Sequence, residues 1–208
     1  MILSIIIAVL TAYLLGNLNG AVCMSAIVAG DDVRSHGSGN AGLTNFIRNY
    51  GANSALFVIL IDAGKAAVAC VCAGLLLEPY GYYREGMMLG AIAVMLGHDF
   101  PALLGFRGGK GIMSGFAVAL TMDWRVGVLL LLVFSAAYFT TQYVSLGSVL
   151  GAVAFGVGFS IVYRDSPLLI AAALFLAALT IFMHRENVRR LLKGEERKTN
   201  LFGKGNQS

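Results

Sequence analysis

Long apolar stretches separated by short polar segments run along the whole chain. Residues 1–30 carry no charged side chain, and residues 126–163 form a second uncharged stretch of 38 residues. A helix that crosses a membrane needs about 20 apolar residues, so the second stretch is long enough for two crossings. The pattern therefore predicts an all-α, polytopic integral membrane protein.

The apolar runs and the turn residues between them predict seven transmembrane helices. They lie at about residues 2–29, 53–77, 86–97, 111–122, 125–141, 145–162 and 167–184. The third and fourth are short, because roughly 12 residues at a rise of 1.5 Å cover only about 18 Å of a ~30 Å hydrocarbon core. We expect either a thinner bilayer there, or helices that stop partway and a 97–111 loop that dips into the protein.

Lysine and arginine are unevenly divided between the two ends of these helices. With the N-terminus outside, the inner side holds eleven of them, namely Arg34, Arg48, Arg107, Lys110 and the seven from Arg185 onward. The outer side holds three, Arg84, Arg125 and Arg164. Because cytoplasmic loops are enriched in Lys and Arg, this bias predicts the orientation. It also places the polar segments 30–51, 97–111 and 184–198 together on the cytoplasmic side.

Composition narrows the class further. The chain is 58% hydrophobic and 12% charged, against about 25% charged in ordinary globular proteins, which excludes a disordered chain, a coiled coil and a typical cytosolic enzyme. Six of the fifteen basic residues lie between Arg185 and Lys198, just after the last apolar run. Their position favours contact with anionic lipid over a nucleic-acid partner. The cysteines, Cys23, Cys70 and Cys72, lie in apolar stretches and form no disulfide or zinc pattern.

The first polar segment, residues 36–48, combines glycines with hydrogen-bonding side chains. Its closely spaced glycines, which allow tight turns and let backbone N–H groups face an anion, are Gly37, Gly39 and Gly42. Its neutral polar side chains include Ser38, Asn40, Thr44 and Asn45. Arg48 adds a guanidinium fork that suits phosphate. The alternative is a flexible linker between two helices.

The second polar segment contains Gly97-His98-Asp99-Phe100-Pro101 and then Gly108-Gly109-Lys110-Gly111. Glycines around a lysine at the start of a helix are typical of a phosphate cradle. A nucleotide P-loop would have glycine in place of Leu104 and serine or threonine in place of Gly111, so nucleotide hydrolysis is disfavoured. The alternative is a basic loop that only fixes the orientation.

The third polar segment begins at His184, where the last apolar run ends. His184 and Asn187 lie three residues apart and share a helix face, and the histidine could act as a base near neutral pH. For Arg189, Arg190 and Lys193 we favour an anchor for lipid headgroups.

Two pairs of polar residues lie within the predicted spans. Asp62 and Lys65 form either a structural ion pair or a substrate contact, since ionisable groups are costly inside a membrane. Ser145 and Ser148 either contact substrate or serve as small packing residues.

The three segments together resemble the motifs of the bacterial acyl-phosphate:glycerol-3-phosphate acyltransferases, an integral membrane family. The pattern Gly-Ser-Gly-Asn-x-Gly-Ala-Thr-Asn matches residues 37–45, except that Leu43 replaces alanine. Gly-His-x-Phe-Pro and Gly-Gly-Lys-Gly match 97–101 and 108–111, after which Ile112-Met113-Ser114 departs from the family's Val-Ala-Thr. The third pattern, His-Arg-x-Asn-x-x-Arg-Leu-x-x-Gly-x-Glu, matches from His184 onward, with its glutamate at position 195 or 196.

The resemblance implies transfer of an acyl group from acyl phosphate to the sn-1 hydroxyl of glycerol-3-phosphate. The products would be lysophosphatidic acid and phosphate, in the first acylation step of bacterial phospholipid synthesis. The resemblance implies no metal or cofactor and a location in the bacterial inner membrane. The expected partners are the two substrates, membrane lipids and the enzyme that supplies acyl phosphate, but no nucleic acid. We expect one membrane-embedded domain, residues 1–198, followed by a polar tail, 199–208.

Site residues carried over from the family, or placed beside its motifs, divide into two groups. Those expected to be catalytic are Ser38, Arg48, Lys110, His184 and Asn187. Those expected to contact substrate are Gly37, Gly39, Asn40, Thr44, Asn45, His98, Gly108, Gly109, Gly111, Ser145 and Ser148. His184 either takes the proton of the glycerol hydroxyl, or orients it with Ser38 and Asn187 while a substrate phosphate takes the proton.

Two other classes fit part of the pattern. A transporter of phosphorylated solutes would also use glycine loops and cations, but it would more often show internal repeats and polar groups near the membrane midplane. A lipid-binding structural protein would explain the basic cluster from Arg185 to Lys198, but not the segments 37–48 and 108–111.

Overall fold

The computed structural model describes residues 1–199, and all of its regular secondary structure is helical, as predicted. The α-helices are α1 (Ile2–Asn17), α2 (Gly20–Ala29), α3 (Leu43–Tyr50), α4 (Ala55–Leu77), α5 (Tyr83–Asp99), α6 (Ile112–Met122), α7 (Trp124–Thr141), α8 (Val144–Val162), α9 (Pro167–Met183) and α10 (Arg185–Lys193). Of the predicted polar tail, only Thr199 lies within the described residues.

Several segments are long and apolar enough to cross a membrane. Five candidates are Ile2–Ala29, Ala55–Tyr80, Tyr83–Leu104, Trp124–Thr141 and Val144–Val162. The pair α9 and α10, bent by 58° between them, would form a sixth. Helix α6 has 11 residues and is as short as the sequence predicts. A total of seven crossings and their direction therefore remain predictions.

The predicted short third span is wrong. Helix α5 runs for 17 residues, and together with the turn that follows it covers 22. It extends beyond the apolar run at both ends, by Tyr83–Glu85 at its start and by His98 and Asp99 at its end, and the last two are 4% and 1% exposed. Tertiary contacts bury these side chains, and a hydropathy pattern assigns such residues to a loop.

The first apolar stretch is not one continuous helix either. Helix α1 ends at Asn17 and α2 begins at Gly20, with Leu18 and Asn19 extended between them. The Asn19 side chain accepts a hydrogen bond from the Val22 N–H at 3.0 Å and so caps α2. A break of this kind frees backbone groups at membrane depth, and they need partners inside the protein.

Small residues allow the helices to approach one another closely. A Cβ atom added to Gly16 of α1 would lie 2.7 Å from Gly97 Cα of α5, and one added to Gly90 would lie 2.6 Å from the Ala69 carbonyl of α4. Contacts this close are typical of helix packing in membranes. Many large apolar side chains, such as Leu132 at 63% exposure, point outward and would face lipid.

Candidate active site

The first glycine segment is organised by one buried side chain, Asn45. Its Nδ2 donates to the carbonyls of Val33, His36 and Asn40 at 2.9–3.1 Å, and its Oδ1 accepts from the Ser38 N–H at 3.0 Å. Gly37 and Gly39 have φ of 59° and 69°, which favours glycine at both positions. The segment is therefore a defined loop, and not a flexible linker.

The second glycine segment folds back onto the end of α5. The Gly109 N–H donates to the His98 carbonyl at 3.1 Å. A Cβ atom on Gly108 would overlap that carbonyl, and one on Gly109 would overlap His98 Nε2. Gly111, with φ of 68°, then turns the chain into α6. These glycines are needed for close approach, and the fold leaves Lys110 on the same turn.

The two loops lie against each other. The Ala41 carbonyl of the first loop would be 2.8 Å from a Cβ on Gly109 of the second. Arg34 Nη1 donates to the carbonyls of Leu104 and Arg107 at 2.8 and 3.1 Å. The predicted convergence of these segments is therefore found in the structure.

The third segment brings Asn187 to Lys110 by the bend between α9 and α10. Lys110 Nζ donates to Asn187 Oδ1, and Asn187 Nδ2 donates to Glu196 Oε1 at 2.8 Å. Ser145 Oγ of α8 donates to the same carboxylate oxygen at 2.9 Å. Arg190 Nε donates to Glu196 Oε2 at 2.7 Å. Three of the predicted site residues, Lys110, Asn187 and Ser145, thus meet around Glu196.

Charges in this cluster influence one another. Burial opposes ionisation of Glu196, but hydrogen bonds from Asn187, Arg190 and Ser145 outweigh it and lower the pKa of the carboxyl group. Burial, and next the positive charge of Arg190, lowers the pKa of Lys110 below its ordinary value of 10.5. The ammonium group is therefore poorly compensated, and an anionic ligand would stabilise it.

His184 lies at the bend, 4% exposed, with its ring orientation fixed. Its Nδ1 lies 2.8 Å from the Thr180 carbonyl oxygen, which can only accept a hydrogen bond. Nδ1 therefore carries the proton, and Nε2 of the neutral ring is left as an acceptor. This is the form in which histidine acts as a base.

An apolar cavity of about 200 Å³ adjoins this polar cluster. Gly111, which follows Lys110, and Thr180, which lies one helical turn before His184, form part of its wall. The remaining wall is mostly apolar and comes from α5 to α9, including Met113, Phe134 and Phe155. The arrangement joins a polar, cationic end to a hydrocarbon-lined end.

Arg48 is held by the chain that follows α10. Its Nη2 donates to Thr199 Oγ1. Thr199 is fixed in turn, because its N–H donates to the Gln142 carbonyl and its carbonyl accepts from the Tyr138 hydroxyl, both at 3.0 Å. The segment after Gly194 therefore links the first loop to the turn between α7 and α8, beside Ser145.

Other predicted site residues have different surroundings. Ser38 is exposed on its loop, and the Asn45 amide is engaged within that loop. His98 is buried against Lys65, with Nδ1 and Nζ 2.7 Å apart. Ser148 donates to the Val144 carbonyl of its own helix and lines the cavity, as a packing residue does. Direct contact between these side chains and substrate stays a prediction.

From the sequence we left the motif's glutamate at 195 or 196, although the pattern counted from His184 ends at Glu196, and neither Thr180 nor Thr199 has a predicted role. The choice between the glutamates is settled by geometry, since Glu196 makes the contacts above whereas Glu195 is exposed. Thr180 lies four residues before His184, one helical turn away, and this spacing could have indicated that its carbonyl faces the histidine ring. For Thr199 the local sequence offered no signal.

Known proteins of one kind match the chain over nearly its full length. A family model described as glycerol-3-phosphate acyltransferase matches residues 6–194. A glycerol-3-phosphate acyltransferase of Clostridioides difficile is 38% identical over 203 residues, covering 95% of this chain and 96% of that protein. One from Thermoanaerobacter sp. is 37% identical over 193 residues, covering 93% and 94%.

Solved structures agree with the sequence matches. A crystal structure of PlsY (YgiH), an integral membrane glycerol 3-phosphate acyltransferase in its glycerol 3-phosphate form, superposes with a TM-score of 0.85 at 30% identity, covering 96% of this chain and 100% of that one. Its lysophosphatidic acid form gives a TM-score of 0.81 at 29% identity, covering 95% and 96%. The three motifs, the helical fold and these matches agree, and the chain belongs to the glycerol-3-phosphate acyltransferase family.

Proposed function

We propose that this acyltransferase moves an acyl group from acyl phosphate to the sn-1 hydroxyl of glycerol-3-phosphate, forming lysophosphatidic acid and phosphate. One observation carries the proposal. Gly111, which follows Lys110, and Thr180, one helical turn before His184, both line an apolar cavity, and Lys110 donates to Asn187. Such a site suits one water-soluble anion and one donor with a hydrocarbon tail. The crystal forms of PlsY contain glycerol 3-phosphate or lysophosphatidic acid, in keeping with this acceptor and product.

The proposed reaction needs no covalent enzyme intermediate. Acyl phosphate is a mixed carboxylic–phosphoric anhydride, whose phosphate leaves readily. The glycerol hydroxyl oxygen forms a bond to the acyl carbonyl carbon, the bond from that carbon to the phosphate oxygen breaks, and phosphate departs with its electron pair. Holding two anionic reactants in this geometry accounts for most of the catalysis that we expect.

The cationic side chains would hold the phosphates. Lys110 is oriented by Asn187, and Arg48 is held by Thr199, so both are fixed before substrate arrives. For the proton we propose two routes. In one, Nε2 of His184 accepts it, a step worth roughly 10²–10⁴-fold in rate. In the other, His184 orients the hydroxyl with Ser38 and Asn187, and a substrate phosphate accepts the proton.

The site would face the cytoplasm of a bacterial inner membrane. Support comes from the eleven basic residues that the predicted orientation places on that side. The expected partners remain membrane lipids and the enzyme that supplies acyl phosphate.

Product formation by purified protein tests the reaction. Glycerol-3-phosphate is supplied without added metal, with palmitoyl phosphate in one reaction and palmitoyl-CoA in another. We expect lysophosphatidic acid and phosphate only from palmitoyl phosphate, and a loss of about 100-fold or more in His184→Gln if Nε2 is the base. Near-full turnover in His184→Gln would leave the proton to substrate phosphate.

Two other results would overturn parts of the proposal. Product only from palmitoyl-CoA would keep the acyltransferase but replace the donor. No product from either donor, together with uptake of glycerol-3-phosphate into proteoliposomes, would favour a transporter.

A further inference from the structure

A buried polar cluster, formed by Asp62, Lys65 and His98, lies between α4 and α5. All three side chains are at most 5% exposed. Lys65 Nζ donates to Asp62 Oδ1 at 2.8 Å and lies 2.7 Å from His98 Nδ1. A charged pair among transmembrane helices is costly and needs a reason to be there.

One reason is the break in the first span. Lys65 Nζ donates to the Leu18 carbonyl at 2.5 Å, and the Gly16 carbonyl at 3.3 Å shares one of its three N–H groups, at the C-terminal end of α1. Asp62 Oδ1 accepts from the Gly20 N–H at 3.1 Å, at the N-terminal end of α2. The cation thus meets the negative end of one helix dipole and the carboxylate meets the positive end of the next. The ion pair supplies the partners that the broken backbone lacks.

The cluster is also connected to the two glycine loops, residues 37–45 and 108–111, which we call the substrate loops. The His98 ring lies between Lys65 on its Nδ1 side and Gly109 on its Nε2 side. Asn19, in the break itself, donates from Nδ2 to the Ala41 carbonyl of the first loop at 3.0 Å. One end of the cluster therefore supports the loop that carries Lys110, and the other supports the loop that carries Ser38.

We propose that Lys65 and Asp62 are positioning residues. They fix the positions of both substrate loops relative to each other, through His98 and through the broken first span. The proposal rests on the proposed function for its kinetic consequence, but the positioning itself is independent of turnover. A displacement of about 1 Å at reacting groups can cost about 100-fold in rate, so residues that support the loops affect the rate of the reaction.

The test removes the pair without leaving a charge unpaired. Asp99, beside His98, is buried, its carboxylate has no hydrogen-bond partner among the described residues, and Lys65 acts on it electrostatically. The variant therefore combines Asp62→Asn, Lys65→Met and Asp99→Asn, and the matched background is Asp99→Asn alone. The asparagine and methionine replacements keep approximately the shapes of the native side chains, so helix packing should be retained.

Two readouts separate positioning from general stability. In the triple variant we expect the backbone amides of residues 37–45 and 108–111 to exchange with deuterium at least about tenfold faster than in the background, while the amides of α8 exchange at the same rate. The thermal midpoint should fall only modestly, because Lys65→Met leaves the carbonyls of Gly16 and Leu18 without this donor. We expect the KM for glycerol-3-phosphate to rise about tenfold and the KM for palmitoyl phosphate to stay within about twofold, since no residue of α4 lines the cavity. Unchanged loop exchange in a folded triple variant would overturn the proposal.

His98→Gln decides the matter if the triple variant does not fold. It keeps the ion pair and the backbone bond from the Gly109 N–H to the His98 carbonyl, and it removes only the ring that lies between Lys65 and Gly109. Loop 108–111 should therefore exchange faster while the break in the first span stays protected. Equal exchange in His98→Gln and wild type would overturn the link through His98. If wild type makes no product from any donor, the proposed function fails, but the exchange measurement still tests the positioning.

Discussion

At the scale of single residues, Glu196 connects side chains from two helices within the candidate site. Its carboxylate receives hydrogen bonds from Ser145, Asn187 and Arg190, which come from α8 and α10. Among the described residues, Lys110 is hydrogen-bonded to this network through Asn187. The orientation of Lys110, which we propose binds phosphate, therefore depends on a residue that we do not expect to touch substrate.

Replacing Glu196 with glutamine should weaken this arrangement. An amide cannot accept from all three donors as a carboxylate does, and hydrogen bonds to charged groups contribute about 1.5–3 kcal/mol. We expect Glu196→Gln to lower kcat/KM for glycerol-3-phosphate by about 10–100-fold, measured as lysophosphatidic acid formation. The exposed neighbour offers a matched control, Glu195→Gln, which should retain full activity. A decrease of less than threefold in Glu196→Gln would show that Asn187 is held by other contacts.

The lowered pKa of Lys110 predicts how activity changes at alkaline pH. A base whose pKa is lowered loses its charge at a lower pH than an ordinary lysine, so phosphate binding should weaken before pH 10.5 is reached. We expect the KM for glycerol-3-phosphate to rise by up to about tenfold per pH unit above the lowered pKa. Lys110→Arg, which stays charged, should have a higher KM near neutral pH but no such rise. The same rise in Lys110→Arg would assign the titration to another group.

At the scale of the element, one face of helix α8 contributes side chains to the candidate site. Ser145, in its first turn, contacts Glu196, and the next turns line the cavity with Gly147, Ser148, Gly151, Ala152 and Phe155. The sequence could not separate the two serines, because the pattern gives both to the same end of one helix. In the structure Ser145 belongs to the polar cluster and Ser148 to the cavity wall.

Phe155 should limit the length of the acyl chain. It lies seven residues beyond Ser148, or about 10 Å farther from the polar end, and its ring packs on Phe159 with centroids 4.6 Å apart. Truncation in Phe155→Ala should deepen the cavity and raise the kcat/KM ratio of a C20 to a C16 acyl phosphate by about tenfold. Val157→Ala, on the exposed side of α8, is the control and should leave the ratio unchanged. An unchanged ratio in Phe155→Ala would place the end of the chain elsewhere.

At the scale of the whole molecule, the sequence predicted the all-α class, the family and the meeting of the three polar segments. It could do so because long apolar runs and glycine motifs are local signals. The break at Leu18 and Asn19 and the full length of α5 were missed, since both depend on partners from distant helices. The contacts of the Glu196 carboxylate depend on the turn at Gly194, with φ of 71°, which no pattern of apolar residues encodes.

The orientation can be tested on the intact protein. Single cysteines are introduced at two exposed positions in a background without the native cysteines, as Ser35→Cys on the predicted inner side and Asp165→Cys on the predicted outer side. A membrane-impermeant maleimide applied to spheroplasts should label only position 165, and both positions after lysis. Labelling of position 35 before lysis would reverse the proposed orientation and move the site to the outer face.

The shortness of α6 has a consequence for how a donor arrives. Eleven residues span about 16 Å, roughly half of a hydrocarbon core, and this helix forms part of the cavity wall through Ile112, Met113 and Phe116. Near α6 the bilayer thins or other helices fill the remaining depth, since a mismatch costs a fraction of a kcal/mol per Å. If the bilayer thins, the water–lipid boundary curves inward toward Lys110. An amphiphile in the leaflet would then reach the site by lateral diffusion. Its charged headgroup would stay at the boundary, and its hydrocarbon tail would not enter water.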